Sequence, residues 1–225
     1  MKLSYEVRRS AKRKRLSISV ERDRRVVVHA PEQISDAKIQ QIVEAKKAWI
    51  YEKTKHPQKY EDQPHAPGKE LVNGESVLYL GRYYKIQLAD AEAVSFDQCF
   101  IVPRTYTSTK KQALREWFIA RAKEKILPLV EQCAKSLGVH YEKAKIVDNR
   151  YRWASCTPLN NVNFNWRLIK APMYVIDYII VHELAHLLEN NHTPRFWNIV
   201  RTKANCAEKA KTWLKQNGQI LEEDI

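Results

Sequence analysis

The chain has 225 residues, of which 44% are hydrophobic, and a formal net charge of +13. This length and composition are those of a globular protein with a full hydrophobic core. Its four cysteines are widely spaced and form no C-x-x-C pair, so they indicate neither a zinc ribbon nor a disulfide framework. No apolar stretch approaches the ~20 residues of a membrane span, so we expect a soluble, cytoplasmic protein that does not enter the membrane.

The positive charge is concentrated at the N-terminus. Residues 1–60 hold 16 Lys and Arg against 7 Asp and Glu, a surplus of +9 that leaves only +4 for the rest of the chain. Such a surplus favours anionic partners such as nucleic acid, nucleotides or acidic proteins, and nucleic acid could bind through the N-terminal region. The alternative is a basic surface that is simply solvated.

The first seventy residues predict a small sheet followed by a helix. Apolar and polar residues alternate over 16–20 and 26–30, which predicts a hairpin, and residues 4–9 are a candidate third strand. Ser35 is expected to cap a helix with apolar residues at helical spacing. Three prolines and a glycine predict a linker over residues 56–70.

A second group of strands and a long helix follow the linker. Residues 76–80 and 83–88 flank a Gly-Arg turn and predict a hairpin, and a weaker pair of strands is expected before Pro103. Apolar residues at helical spacing over 108–137 predict a long amphipathic helix, with a kink at Pro128. Three short strands are then expected at 145–147, 151–155 and 162–166.

The next predicted helix has the residue spacing of a metal site. Residues i and i+4 share a helix face, so His182 and His186 can direct two imidazoles at one cation, with Glu183 beside them. This H-E-x-x-H arrangement is typical of zinc hydrolases, with the glutamate as general base. Apolar residues surround the helix and predict that it is buried: Met173, Val175, Ile176, Ile179, Ile180, Val181, Leu184, Leu187 and Leu188. Buried polar side chains need partners, which favours a metal site over a chance match.

A catalytic zinc usually takes three protein ligands, so a third ligand is required. Six residues beyond His186 is about 240° around a helix, so His192 can face the metal only if the helix ends first. Asn190-Asn191 suits such an end, and Thr193-Pro194 suits the cap and first residue of the next helix. His192 is therefore the expected third ligand, and Glu189, one turn beyond His186, is the alternative.

Substrate contacts are expected from residues that flank the metal helix in sequence. Residues 150–156, which contain the predicted strand 151–155, are rich in polar and aromatic side chains. The edge of a sheet there could hold an extended peptide by strand addition, its cations could bind an anionic substrate, or the strand could simply pack the core. Arg167 is a further flanking cation. The candidate substrate-binding residues are Arg150, Arg152, Ser155, Tyr178 and Arg195, of which Arg150, Tyr178 and Arg195 are also candidate oxyanion donors.

The chain resembles the YgjP-like metal-dependent hydrolases, a family of zinc metallopeptidases. The most specific segments of the resemblance are residues 152–156, 165–168 and 182–197. In the first of these, Ala154 stands where the family typically has the glycine of Trp-Gly-Ser-Cys. Ala154 would be strained if that glycine adopts a positive φ.

The resemblance implies a zincin-like C-terminal domain with zinc bound by His182, His186 and His192 and with Glu183 as the catalytic base. It leaves the substrate open, since the peptidase activity of the family is inferred largely from the motif, and nucleotide pyrophosphatase activity, with UTP as a substrate, is also attached to the family. In such a site the zinc lowers the pKa of a water toward ~7 and Glu183 takes the proton.

We therefore expect an α+β protein with a β-rich N-terminal domain over residues 1–105. Residues 106–225 should form a zincin-like catalytic domain, with a small sheet and the metal-binding helix. The predicted function is a zinc-dependent hydrolase, first a metallopeptidase. A metal-dependent nucleotide pyrophosphatase and a non-catalytic, zinc-stabilised nucleic-acid-binding module are the alternatives. Glu183 argues against the last, because a structural zinc needs no base and fills all four positions with protein ligands.

Overall fold

The computed structural model describes residues 4–11, 13–20, 25–55, 70–104, 107–149 and 152–222. The chain divides into two compact units, Met1–Asp62 and Gln63–Ile225. The boundary expected near residue 105 falls inside the second unit, because the strands before it share one hydrophobic core with the helices after it. Both units combine helices with strands, which confirms the predicted α+β class.

The first unit is built on a three-stranded sheet of β1 (Glu6–Ser10), β2 (Ser17–Val20) and β3 (Val26–Pro31). The central strand β3 pairs antiparallel with β2, as the predicted hairpin requires, and parallel with β1. The third strand is thus confirmed, while most of the predicted turn, residues 21–24, lies outside the described residues. One face of the sheet packs on helical side chains, and this core consists of Val26, Val28, Ala30, Ile39, Val43 and Ile50.

The helix predicted after Ser35 is two helices, α1 (Asp36–Ala45) and α2 (Lys47–Lys55). The hydroxyl of Ser35 accepts a hydrogen bond from the backbone N–H of Lys38, so the predicted cap is confirmed. The break falls at Lys46, whose backbone leaves the helical region with φ −101° and ψ 7°. Residues 56–69 of the predicted linker lie outside the described residues.

The second unit begins with β4 (Ser76–Tyr79), β5 (Arg82–Ala89), β6 (Ser95–Asp97) and β7 (Cys99–Pro103), which form one sheet in the order β4-β5-β7-β6. The long helix α3 (Thr107–Leu137) continues through Pro128. Its buried face has the predicted spacing and includes Leu114, Phe118, Ala122, Ile126 and Val130. These side chains belong to the core that also contains the metal helix.

A smaller sheet contains β8 (Lys143–Val147), β9 (Ala154–Cys156) and β10 (Asn161–Asn165), in the order β8-β10-β9. The strand β9 is therefore at an edge, antiparallel to β10. It is shorter than predicted. Ala154 is part of this extended strand and is not among the described residues with positive φ, so the strain considered at this position is absent.

The predicted metal helix is α4 (Met173–Ala185), and α5 (Pro194–Lys203) and α6 (Ala207–Glu222) follow it. The helix α4 contacts α3, α5, α6 and β9, which explains why its sequence is apolar almost all round. Among the described helices, none is long and apolar enough to cross a membrane.

The turn between β4 and β5 supports the start of α4. The backbone N–H of Gly81 donates to the carbonyl of Lys170 at 2.8 Å, and that of Leu80 donates to the carbonyl of Ile169 at 3.0 Å. Gly81 has φ +80°, and a Cβ atom there would lie 2.6 Å from Cγ of Pro172, the residue directly before α4. Only glycine fits this contact without displacing one of the two segments.

We expect Gly81→Ala to lower the free energy of unfolding by about 2–3 kcal/mol, because it combines backbone strain with a steric overlap at Pro172. Gly74→Ala is the matched control, since Gly74 has φ +84° but open space around its Cα. Strain alone should cost that variant about 1 kcal/mol. Chemical denaturation of the two variants measures the difference, and equal losses would show that the Pro172 contact is unimportant.

Candidate metal centre

The helix α4 ends at the residues that form the site. Its last helical residue is Ala185, and His186 is the C-cap. The predicted end at Asn190-Asn191 is therefore about one turn too late. The N–H groups of His186, Leu187 and Leu188 bond to carbonyls three residues back, so the chain tightens as it leaves the helix. This tightening turns the chain back over the end of α4.

His182, His186 and His192 converge at this point. Their candidate ligand atoms all lie within 4.8 Å of one another, and Nε2 of His182 is 3.1 Å from Nε2 of His192. Two nitrogens bound to one tetrahedral zinc at ~2.0–2.1 Å lie about 3.3 Å apart, so this separation fits a shared ion. Three imidazoles form a donor set that suits zinc and leaves one of its four positions open.

The rival ligand Glu189 is outside this cluster of described residues. Its backbone serves the site instead, because the imidazole of His186 is hydrogen-bonded to the backbone carbonyls of Glu189 and Asn190. Such a bond fixes the orientation of a histidine and leaves its other nitrogen for a metal. Burial lowers the pKa of His186, and the neighbouring His192 lowers it further. Both effects favour the neutral imidazole that binds metals.

Glu183 lies beside the histidines and is 8% exposed. Burial raises the pKa of its carboxyl group to about 7, although the backbone N–H of Cys156 and the charge of Arg152 act in the opposite direction. The carboxylate accepts its hydrogen bond from the edge strand β9, so the strand and the helix are joined at the site. A carboxyl group with a pKa near neutrality is suited to accept and return a proton.

Phe196, on α5, packs against all three imidazoles. It is fully buried, and its ring centroid lies 4.9 Å from that of His182, 4.6 Å from that of His186 and 4.7 Å from that of His192. No spacing relative to the histidines marks this residue in the sequence as part of a metal site. Because an aromatic ring in contact with the histidines keeps water from that side, the imidazoles are accessible mainly from the opposite side.

The site opens into a cleft of about 770 Å³. One wall is β9 with the turn that follows it, and the other is the end of α4 with His192. Arg152 and Ser155, two of the candidate substrate-binding residues, line this cleft together with Glu183.

The other candidate residues are placed differently. Tyr178 is buried rather than cleft-lining, with its ring centroid 5.9 Å from that of His182. Arg195 is exposed and is not one of the described residues that line the cleft. Arg167 is paired with Asp148 and lies over the ring of Trp166. Arg150 lies outside the described residues.

Asn165 holds the segment that leads into β9. Its side chain amide donates to the carbonyls of Asn149 at 2.5 Å and Arg152 at 3.2 Å, and its Oδ1 accepts from the N–H of Arg167 at 3.0 Å. The residue is 2% exposed, so these bonds are protected from water. Asn165 therefore fixes the backbone of Arg152 at the cleft, a role that its position within the predicted strand 162–166 did not reveal.

Comparisons with known proteins identify a family. A family model described as YgjP-like, metallopeptidase domain, matches residues 14–217. The solved structure of the metallopeptidase zymogen of Pyrococcus abyssi abylysin is similar to this chain. The match covers 44% of this chain and 98% of the zymogen chain, with 22% identity and a TM-score of 0.38. The metallopeptidase zymogen of Methanocaldococcus jannaschii jannalysin is also similar, over 41% of this chain and 95% of the zymogen chain, with 22% identity and a TM-score of 0.36. No curated protein matches the chain.

The choice between His192 and Glu189 can be tested by metal affinity. We expect His192→Ala to weaken zinc binding strongly, because it removes one of three clustered imidazoles. Glu189→Ala should change the affinity little, since its carbonyl, which the substitution retains, is the group that contacts His186. Competition with a chelator measures both, and a larger loss in Glu189→Ala would reverse the assignment.

Burial of Glu183 also predicts a pH dependence of stability. The pKa of Glu183 is about 7 in the folded protein, above the ordinary value of 4.5. Below pH 4.5 the carboxyl group is protonated in both the folded and the unfolded state, and its burial costs no stability. As pH rises from 4.5 through 7 the ionised form becomes favoured in the unfolded chain first, so the folded protein loses stability over this range. In chelator-treated protein, Glu183→Gln should therefore gain stability over the unchanged chain between pH 5 and 8, by on the order of 1–3 kcal/mol. Urea denaturation across this range is the measurement. A difference that does not vary with pH would contradict the assigned pKa.

Proposed function

The chain belongs to the YgjP-like family and is a metal-dependent hydrolase, and we propose that it is a zinc metallopeptidase with Glu183 as its general base. The observation that carries the proposal is the convergence of three histidines beside a buried glutamate in one cleft. His182, His186 and His192 would hold the metal. A zinc ion there would supply Lewis-acid polarisation and would acidify a water.

In this mechanism Glu183 moves the proton. Its carboxylate takes a proton from the water that attacks the substrate carbonyl and passes it to the departing amine. The backbone N–H of Cys156 holds the carboxylate in place. Burial among apolar side chains keeps bulk water from competing for the proton and strengthens the electrostatic interactions inside the site.

The backbone of β9 supports a peptide as substrate. Ser155 pairs with Asn163 on β10, and the carbonyl of Trp153 and the N–H of Thr157 also bond toward β10. Because backbone groups alternate in direction along a strand, those of Ala154 face away from β10, at the edge of the sheet. An extended peptide could pair with them and lie along the cleft.

A nucleotide remains the second candidate because Arg152 lies in the cleft beside Glu183. The triphosphate of a nucleotide would need several cations, and guanidinium groups suit it best. Of the arginines that flank α4 in sequence, Arg152 is the one that lines the cleft within the described part of the chain. This favours a peptide. A structural zinc is the third candidate, and the described cluster, which has three ligands beside a base, argues against it.

The experiment is a panel of unfolded proteins, peptides and nucleoside triphosphates, assayed with the zinc-loaded protein and with Glu183→Gln. We expect peptide cleavage that falls by ~10²–10⁴-fold in Glu183→Gln, because glutamine keeps the shape but cannot take the proton. Zinc content should be equal in both proteins. Arg152→Ala is a further arm, expected to affect an anionic substrate more than a neutral peptide.

Release of pyrophosphate from a nucleotide that depends on zinc and Glu183, without cleavage of any protein or peptide, would replace the proposal by the second candidate. Equal turnover by the two proteins would remove Glu183 from the mechanism.

A further inference from the structure

His192 differs from the other two histidines in how its side chain is held in place. His182 lies within α4 and His186 caps it, whereas His192 is an exposed residue in the connection to α5. Within the described part of the chain, no backbone carbonyl or carboxylate accepts a hydrogen bond from its ring. The carbonyls of Glu189 and Asn190 fill that role for His186. Its ring has one polar contact among the described residues, from Nε2 to Nε2 of His182 at 3.1 Å, and no partner of the kind that orients a metal-binding histidine, so packing must supply that orientation.

Trp197 supplies that packing. Its indole is stacked on the imidazole of His192, with ring centroids 5.5 Å apart and an angle of 23° between the planes. Phe196 contacts the same imidazole edge-on at 4.7 Å. The ring of His192 is therefore restrained on its face by one aromatic side chain and at its edge by another.

The local sequence explains why Trp197 reaches His192. Thr193 is the N-cap of α5, with its Oγ1 accepting from the N–H of Phe196, so His192 is the residue before the cap and Trp197 is the fourth helical residue. Side chains at these two positions commonly pack together and fix the direction in which the chain enters a helix. Here one member of the pair is a candidate metal ligand.

The helix α6 in turn holds Trp197. The ammonium group of Lys211 lies 4.0 Å from the centroid of the indole ring, within the range of a cation–π interaction. Lys211 is also paired with Glu208, at 2.9 Å. The indole therefore contacts α6 through Lys211 and the metal centre through two histidines, His192 by stacking and His182 at a tilted 5.7 Å.

We propose that Trp197 is a positioning residue for the metal centre, which orients His192 by stacking on its imidazole. The inference rests on the proposed function, since it assumes that His192 binds the metal. Trp197 need not touch the substrate or the ion. Its effect is to select the ring orientation of His192 that completes the site before the metal arrives, and so to raise the affinity for zinc.

The test is the zinc affinity of purified protein, measured by competition with a chelator, for Trp197→Leu and Trp197→Phe. Leucine removes the aromatic ring and phenylalanine retains one. We expect Trp197→Leu to weaken zinc binding by about 10–100-fold, the usual effect of removing a group that orients a ligand. Trp197→Phe should retain most of the affinity. Ile199→Ala is the matched control on α5, because it removes a half-buried apolar side chain that has no ring contact with the histidines.

The double variant with His192→Ala separates positioning from a general loosening of α5. If Trp197 acts through His192, then Trp197→Leu should cause no further loss of zinc affinity once His192 is absent. A structural role, or an effect through the contact of Trp197 with His182, would weaken binding by the remaining two histidines as well, since Trp197 packs on Phe196 and Phe196 packs on both of them. An equal loss in both backgrounds would overturn the inference, as would equal losses in the leucine and phenylalanine variants.

If the parent protein binds zinc and Trp197→Leu binds it with the same affinity, the positioning role of Trp197 would be overturned and the proposed function would stand. Failure of the parent protein itself to bind zinc would overturn the proposed function and this inference with it. The two failures are therefore distinguishable in one titration series.

Discussion

The burial of α4 is the constraint on which the site depends. The helix contacts α3, α5, α6 and β9, so its backbone is held on several sides and its sequence is almost entirely apolar. His182 and Glu183 are placed by this rigid helix, and the turn at Gly81 supports its first residues. Precise placement matters because a metal centre tolerates only small errors in ligand position.

Burial also determines the chemistry of the site. Removing Glu183 from water raises its pKa to about 7, and a hydrogen bond from β9 limits that rise. The same edge strand that would bind a peptide therefore holds the proposed base. This connection ties the substrate wall to the metal helix, so that a change in β9 would affect substrate position and proton transfer together.

The sequence predicted the parts of the site that depend on local spacing. His182 and His186 are four residues apart on a helix, and Thr193-Pro194 is a recognisable cap, so both features were visible in advance. The end of α4 was placed too late, because the tightened turns after Ala185 have no glycine or proline to mark them. The break at Lys46 between α1 and α2 lacked such a mark as well.

The contacts between distant segments were not predictable in this way. Asn165 and Cys156 act through bonds to residues far away in sequence, and the shared core on both sides of residue 105 depends on tertiary packing. Propensity and periodicity describe single elements and say little about which elements meet.

X-ray absorption at the zinc edge of the reconstituted protein tests whether the three histidines bind the metal. We predict three imidazole nitrogens at ~2.0–2.1 Å and no sulfur ligand, with one imidazole lost in His192→Ala. A spectrum with fewer imidazoles, with a cysteine sulfur at ~2.3 Å, or unchanged by His192→Ala would contradict this prediction.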